Sequence, residues 1–436
     1  MSESMGMIYW DSMIRHGGAV LFIAKEDGEK SLYVQYAHGV GDDPGDDPGE
    51  AFDKLEGRIA RHAGGDMKIC PLSNANAGII RELFPFTRPV SHRGHPFTLG
   101  LGDRLGIASP GHIRLIRELD VFPVLAQQSI RELNLTNRTY DDVLSAAVWA
   151  VFQEGYRKGY GADGDHLKTR DEVMMALDCG FSMITLDCSE HIPNGLGAVV
   201  EFAIAIYHEC LRGKDVDFEL SIDETQTVTS PEDHLYVASE FKKAGVDLVS
   251  LAPRFCGEFQ KGIDYRGDVR QFEREFALHA SIAREMGYKL SIHSGSDKFA
   301  VFPAIYRETG KNVHVKTAGT NWLEAVRVIA QNNPALFRAL LPFALTCLHE
   351  AKKYYHITEN TDNVPDIDPL DDSELPSLLD RDDVRQVVHV TYGHILSAKN
   401  PDGAPTFRDD IFRTLNRHEA DYYVALGARI GRHLPG

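Results

Sequence analysis

The chain has no excess of positive charge: 46 lysines and arginines are outweighed by 64 aspartates and glutamates, a formal charge of −18. A surface of that sign repels nucleic-acid phosphates and anionic lipid headgroups, so neither nucleic acid nor membrane is an expected partner. Paired cysteines are also missing. Cys70, Cys179, Cys188, Cys210, Cys256 and Cys347 form no CxxC pair and no zinc-ribbon pattern, which fits a reduced, cytoplasmic chain. No apolar run is long enough to cross a bilayer, and the start lacks the basic, apolar and small-residue segments of a signal peptide. No dinucleotide fingerprint stands out. The run LGLGDRLG comes nearest, but its last glycine falls one place late and its following segment begins at Pro110. A tight loop at a strand end fits it better.

What is present is an ordinary globular composition, 43% hydrophobic and 25% charged, over 436 residues. That length suits one large domain and a smaller one. Residues 1–95 are expected to form an N-terminal α+β cap, with Ala19–Ala24 and Leu32–Ala37 paired as a hairpin across Asp27 and Gly28. Gly41–Glu50, GDDPGDDPGE, repeats an acidic unit whose prolines defeat EF-hand spacing; a solvated loop is expected there.

From Phe97 onward, strand-like and helix-like segments alternate. The strand-like runs are Phe97–Leu105, Phe122–Ser129, Tyr160–Lys168 and Phe181–Asp187, then Phe218–Glu224, Val246–Arg254, Tyr288–His293 and Val313–Lys316. Helical stretches such as Tyr140–Gln153, Arg170–Asp178 and Pro231–Lys243 separate them, and Gly180, Gly213, Gly245, Gly287 and Gly310 stand where helices should stop. Eight such units predict an α/β fold, a (β/α)8 TIM-like barrel over residues 96–436 with a helical C-terminal extension. An open doubly wound sheet is the alternative.

In a barrel of this kind the C-terminal strand ends face one crevice, and active sites lie there. Here those ends carry acids (Asp165, Asp187, Asp223, Glu224) and three histidines, His166, His293 and His314. A core strand end needs no charge, and burying one unpaired is costly. For any one of these residues a satisfied structural role is the stronger reading; the set as a whole predicts a site. Three histidines on three strand ends predict a divalent metal, zinc, manganese or similar, with Asp187 or Glu224 as a further oxygen ligand. His16, His62, His92, His349 and His418 are assigned to surface or capping positions, and His389 lies outside the eight-strand set. Arg254, Lys168, Lys298 and Lys316 supply positive charge on the same face. Arginine can grip a carboxylate with two parallel bonds, so a sugar acid or other small anion is the expected ligand. Internal salt bridges to Asp165, Asp187 or Glu224 are the competing role.

Seven stretches along this face resemble one family, the tagaturonate/fructuronate epimerases. They are Leu99–Gly106, AQQSIREL (Ala126–Leu133), WAVFQEGY (Trp149–Tyr156), GADGDHLKT (Gly161–Thr169), PRFCGEFQKGIDY (Pro253–Tyr265), LSIHSGSDKF (Leu290–Phe299) and HVKTAGT (His314–Thr320). The resemblance implies a metal-dependent barrel that interconverts D-tagaturonate and D-fructuronate, with His166, His293 and His314 as metal ligands. It implies Glu258, in GEFQKG, as proton donor, with the opposite acid–base partner among Asp103, Gln128 and Asp165. Homo-oligomerisation is left open.

The carbon inverted in that reaction lies one beyond the ketone's α carbon, so its C–H is not acidified and enolisation cannot invert it. Retro-aldol cleavage, rotation of the aldehyde and re-addition would. Transient oxidation by nicotinamide is a second route, one without a supporting motif. An aldolase or an epimerase of neutral ketoses could use the same ligand set, and a sugar-binding barrel without chemistry is the rival from another class.

Overall fold

The computed structural model describes residues 6–36, 52–62, 65–225 and 227–435. At the N-terminus, five antiparallel strands pair in the order β1-β2-β3-β5-β4: β1 Met7–His16, β2 Ala19–Glu26, β3 Glu29–Tyr36, β4 Arg58–His62 and β5 Gly65–Pro71. The β2–β3 hairpin turns where the sequence places it. Asp27 and Gly28 take φ values of 49° and 87°, the positive values that a two-residue turn between right-twisted strands demands. The acidic repeat Gly41–Glu50 lies outside the described residues.

Eight parallel strands then close into a barrel: β6 Phe97–Gly100, β7 Phe122–Ser129, β8 Gly161–Leu167, β9 Met183–Asp187, β10 Asp217–Ile222, β11 Ser250–Pro253, β12 Lys289–Ile292 and β13 Val313–Lys316. Closure is made by β13 on β6, with Val313 opposite Phe97 and Lys316 opposite Gly100. Each falls within or beside its expected run. Several are shorter, because the last residues of runs such as Phe97–Leu105 leave the ladder and turn over the barrel mouth.

The helices start and stop for local reasons. Thr139, Thr169 and Ser230 each form a reciprocal capping box with the acid three residues on. Gly180, Gly245, Gly287 and Gly310 end their helices in the left-handed conformation. The strand–helix alternation does not reveal the short helix Ile130–Thr136, which Ser129 caps and Asn137, at φ 52°, terminates. The C-terminal helix Glu419–Ile430 packs against both Ala318–Asn332 and Ser109–Ile116, so it braces the seam where the barrel closes. Among the described residues no helix is long and apolar enough to cross a membrane.

One histidine overturns its expected surface role. His92 is fully buried: its backbone N–H donates to Asp217 Oδ2 at 2.6 Å, and its ring stacks on His314 at 5.5 Å. Asp217 and Lys289, whose ammonium reaches the His92 carbonyl, each open a strand, so His92 plugs the N-terminal end of the barrel.

Two other imidazoles are buried between helices Pro231–Ala244 and Val269–Met286. His234 Nδ1 lies 2.9 Å from His279 Nδ1, and His234 Nε2 lies 2.6 Å from the Tyr288 hydroxyl. Burial pushes His234 down to about 3 and His279 to about 4. The unfolded chain takes up these protons near pH 6.5, the folded chain only at far lower pH, so stability falls as pH drops through that window. The slope is at most about 1.4 kcal/mol per pH unit for each imidazole. Urea unfolding between pH 7 and pH 5 should therefore give a smaller pH slope for His279→Gln than for the wild type; identical slopes would mean that His279 is not held neutral.

Candidate active site

A cavity of about 470 Å³ opens at the C-terminal ends of the strands. Its floor is set by strand alternation. In FELSIDE, Glu219, Ser221 and Asp223 share one face, and in GADGDHL so do Asp163 and Asp165; these faces point into the barrel. His166 should by the same rule point outward. Instead its φ is 54°, at an irregularity in the β8–β9 register between Gly164 and Leu167, and the bulge turns the imidazole into the mouth. Ser294, directly after His293, has φ 49°. Left-handed backbone at two non-glycine positions beside candidate ligands is strain of the kind that gathers at functional sites.

His166, Asp223 and His293 come from β8, β10 and β12 or the residue just beyond them, and each offers one ligating atom within 4.8 Å of the others. Asp223 Oδ1 is 3.0 Å from His293 Nδ1 and 3.7 Å from His166 Nε2. The outer nitrogens are also held: His166 Nδ1 is 2.8 Å from Asp165 Oδ1, and His293 Nε2 is 2.8 Å from Glu219 Oε1. Burial opposes charge on both rings. Asp165 nevertheless holds His166 well above the ordinary imidazole range, and Asp223 raises His293. Beneath them Lys316 Nζ reaches Asp163, Asp165 and Glu219 at 2.8, 2.7 and 2.9 Å.

The other sequence candidates divide. Asp165, Lys168, Glu224, Arg254, Glu258 and Lys316 line the cavity. Glu258 sits at the rim with its side chain 45% exposed. Lys168 pairs with Glu190 at 2.6 Å, and Glu224 with Arg131 at 3.1 Å. Asp187 is buried beside the site and accepts from the Ser189 N–H at 2.9 Å.

The structure does not bring His314, Lys298, Asp103 or Gln128 to the cavity. His314 lies deeper, bonded through Nδ1 to Thr98 Oγ1 at 2.8 Å, and burial holds its imidazole neutral. Lys298 donates to the carbonyls of Gln260, Ile263 and Ser296, tying two mouth loops together, and burial pushes it down to about 7. Asp103 accepts the N–H groups of Leu105 and Ala108 ahead of a helix. Gln128 points away from the barrel axis, accepting from Arg138 at 3.2 Å, and its neighbour Gln127 lines the cavity instead.

Sequence reasoning missed Asp223 as a ligand, Glu219, and Lys261, which lines the cavity and donates to Ser294 Oγ at 2.8 Å. The period-2 alternation of FELSIDE was the available signal for the first two. The loop after β12 is clamped from the C-terminal side. Asp297 is buried and bonded by Arg385 and, at 2.7 Å, by Arg429, while its N–H donates to His433 Nε2 at 2.9 Å.

A closed parallel barrel whose mouth gathers imidazoles, carboxylates and cations around one cavity has the form of an enzyme. The chain matches the family model of UxaE, tagaturonate epimerase, over residues 9–199 and 195–436, so the match takes in the N-terminal sheet as well as the barrel. It is 39% identical over 426 residues to a tagaturonate/fructuronate epimerase of Thermotoga maritima, covering 86% of this chain and 87% of that protein. Crystal structures of the fructuronate-tagaturonate epimerase UxaE from Cohnella laeviribosi, native and with glycerol, are 44% identical with a TM-score of 0.92. The glycerol complex covers 98% of this chain and 96% of its own. The chain belongs to the tagaturonate epimerase family and is a carbohydrate epimerase, an isomerase.

The clamp on the β12 loop gives a stability test. Asp297→Ala leaves the Arg385 guanidinium, 2% exposed, without its buried counter-charge. Breaking such a pair costs about 3–5 kcal/mol. Urea unfolding of the variant should fall in that range; a loss below about 1 kcal/mol, the value of an exposed pair, would show the clamp to be well solvated.

Proposed function

We propose that this enzyme interconverts D-tagaturonate and D-fructuronate by cleaving and re-forming a carbon–carbon bond. The observation that carries the substrate class is a pair of cations in the cavity that, among the described residues, make no ion pair with a carboxylate. Among the described residues no acid lies within ion-pairing distance of Arg254, and its buried Nε has no hydrogen-bond partner. Lys261 donates to a serine hydroxyl, and burial pushes its ammonium down. A uronate carboxylate would satisfy both groups, whereas a neutral ketose would leave them unpaired. The relatives that bear the names of these two keto-acids share this chain over nearly its whole length.

The donor set also fits a divalent cation, zinc, manganese or similar. Two imidazoles and a carboxylate are the ligand types such ions take in open catalytic sites. Three carboxylates, Asp163, Asp165 and Glu219, share the one ammonium of Lys316, and Asp223 lies between the two histidines; a divalent charge would offset that excess of acids. His166, His293 and Asp223 would hold the ion, and it would supply Lewis-acid stabilisation of negative charge on the sugar's oxygens.

This chain's own groups do the rest. Arg254 and Lys261 grip the carboxylate and fix which end of the sugar enters. Glu258, at the rim, takes the proton of the hydroxyl on the carbon to be inverted. The bond from that carbon to the ketone's α carbon breaks, its electrons pass into an enediolate, and an aldehyde forms. The aldehyde rotates, the bond re-forms on its other face, and the proton returns to the oxygen. Asp165, bonded to His166 and Lys316, orients rather than exchanges protons.

Purified protein stripped of nicotinamide, with metal restored, should convert one keto-hexuronate into the other in deuterated water, with no deuterium at the inverted carbon by NMR. Deuterium at that carbon, or activity that requires added nicotinamide, would replace bond cleavage with direct deprotonation or transient oxidation.

Arg254→Ala should raise KM for the uronate by tenfold to a hundredfold, since a hydrogen bond to a charged group is worth about 1.5–3 kcal/mol. Binding of the matching neutral ketose should hardly change. Equal losses for the two sugars would take Arg254 out of the carboxylate role.

A further inference from the structure

Lys316, expected as a substrate contact, lines the cavity but is enclosed by internal partners. Its side chain is 4% exposed. An ammonium has three N–H donors, and four oxygens already surround this one. Asp163 Oδ2 lies at 2.8 Å, Asp165 Oδ1 at 2.7 Å, Glu219 Oε1 at 2.9 Å and Thr185 Oγ1 at 2.7 Å. No donor is left for a sugar.

The oxygens it holds are the ones that receive the histidines. Asp165 Oδ1 lies 2.7 Å from Lys316 Nζ and 2.8 Å from His166 Nδ1; Glu219 Oε1 lies 2.9 Å from Lys316 Nζ and 2.8 Å from His293 Nε2. A carboxylate oxygen can only accept, so Nδ1 of His166 and Nε2 of His293 must each carry a proton. The opposite nitrogens, His166 Nε2 and His293 Nδ1, face Asp223 Oδ1 at 3.7 and 3.0 Å; a bound metal would replace the protons they hold there, leaving these nitrogens as the lone-pair ends. One ammonium thus sits behind two imidazoles that would take opposite tautomers as metal ligands.

We propose that Lys316 is a positioning residue: through Asp165 and Glu219 it fixes the tautomer and direction of both His166 and His293, so that their lone pairs converge beside Asp223. The role rests on the reading of His166, His293 and Asp223 as metal ligands, and it extends that reading to the residue behind them. Partners of this kind behind ligating histidines are worth tenfold to a hundredfold in metal affinity.

The test is cobalt(II) binding by the full-length chain, read by its visible absorption and by competition with a chelator. Wild type should bind one ion, and Asp223→Ala should lose it. Lys316→Met keeps the stem and removes the ammonium. It should bind cobalt tenfold to a hundredfold more weakly, with an altered visible band and a lowered kcat, while KM for the sugar stays as in wild type. Butylammonium added to Lys316→Ala should return the band toward its wild-type form. Unchanged cobalt affinity and band in Lys316→Met, with KM raised, would overturn the positioning role and make Lys316 a sugar contact. Should Lys316→Met fail to fold, Glu219→Gln must by itself weaken cobalt binding and alter the band; an unaltered band there overturns the role equally. Wild-type protein that takes up no cobalt would instead end the metal reading, and the positioning role with it.

Discussion

The mouth of this barrel depends on how a buried group of carboxylates is neutralised. Asp163, Asp165 and Glu219 project inward from β8 and β10 because period-2 alternation leaves them no other direction. An isolated buried carboxylate is expensive enough that it would take up a proton or open the structure. Lys316 answers three of them at once, and it stands on β13, the strand whose pairing with β6 closes the ring. Closing the barrel and neutralising its interior are therefore one event. Asp163, furthest from the histidines, is still pushed up to about 6 by burial, which marks where the compensation is thinnest.

On that base the upper charges can be asymmetric. In the deeper layer Lys316, Asp163, Asp165 and Glu219 are taken up by one another and by Thr185 and the two histidines. The rim differs: among the described residues Arg254 and Lys261 line the cavity with no acid in ion-pair contact. On the proposed function, leaving them open keeps binding free energy for the carboxylate of the substrate.

Much of this was legible before the fold was known, for reasons that can be stated. The barrel strands are short, apolar and bounded by glycines and caps, so their order and number survive translation into structure; the helix Ile130–Thr136 does not, because it follows its strand without a break. Of the histidines, His166 and His293 end their strands at the mouth. His314 sits two residues before Lys316 on the same face, about 6.6 Å deeper at 3.3 Å per residue, and so falls in the layer below. Gln128 fails for the complementary reason: one position of offset sends it outside the barrel and leaves Gln127 within. Asp103 and Lys298 belong to loops, whose side-chain directions follow no period. Asp223 went unchosen beside Glu224, although alternation from Glu219 singles it out. The bulge at His166 could not be read from sequence, since nothing in GADGDHL announces a positive φ at a histidine.

The C-terminal helices explain how such loops stay in place. Loops carry Arg254, Glu258, Lys261 and the residues after His293, yet loops are the least constrained part of a barrel. Here the β12 loop is pinned at Asp297 by Arg385 and Arg429, from two separate C-terminal helices, and Lys298 staples it to the loop bearing Lys261. Gln260, in that second loop, accepts from Thr358 and Gln386, which belong to the same C-terminal region. The barrel strands thus set His166, Asp223 and His293, and the extension beyond β13 sets the outer loops. On the proposed function the sugar is held by both ends and needs both, because the distance from His166, Asp223 and His293 to the cations is fixed only when the two halves are locked to one frame.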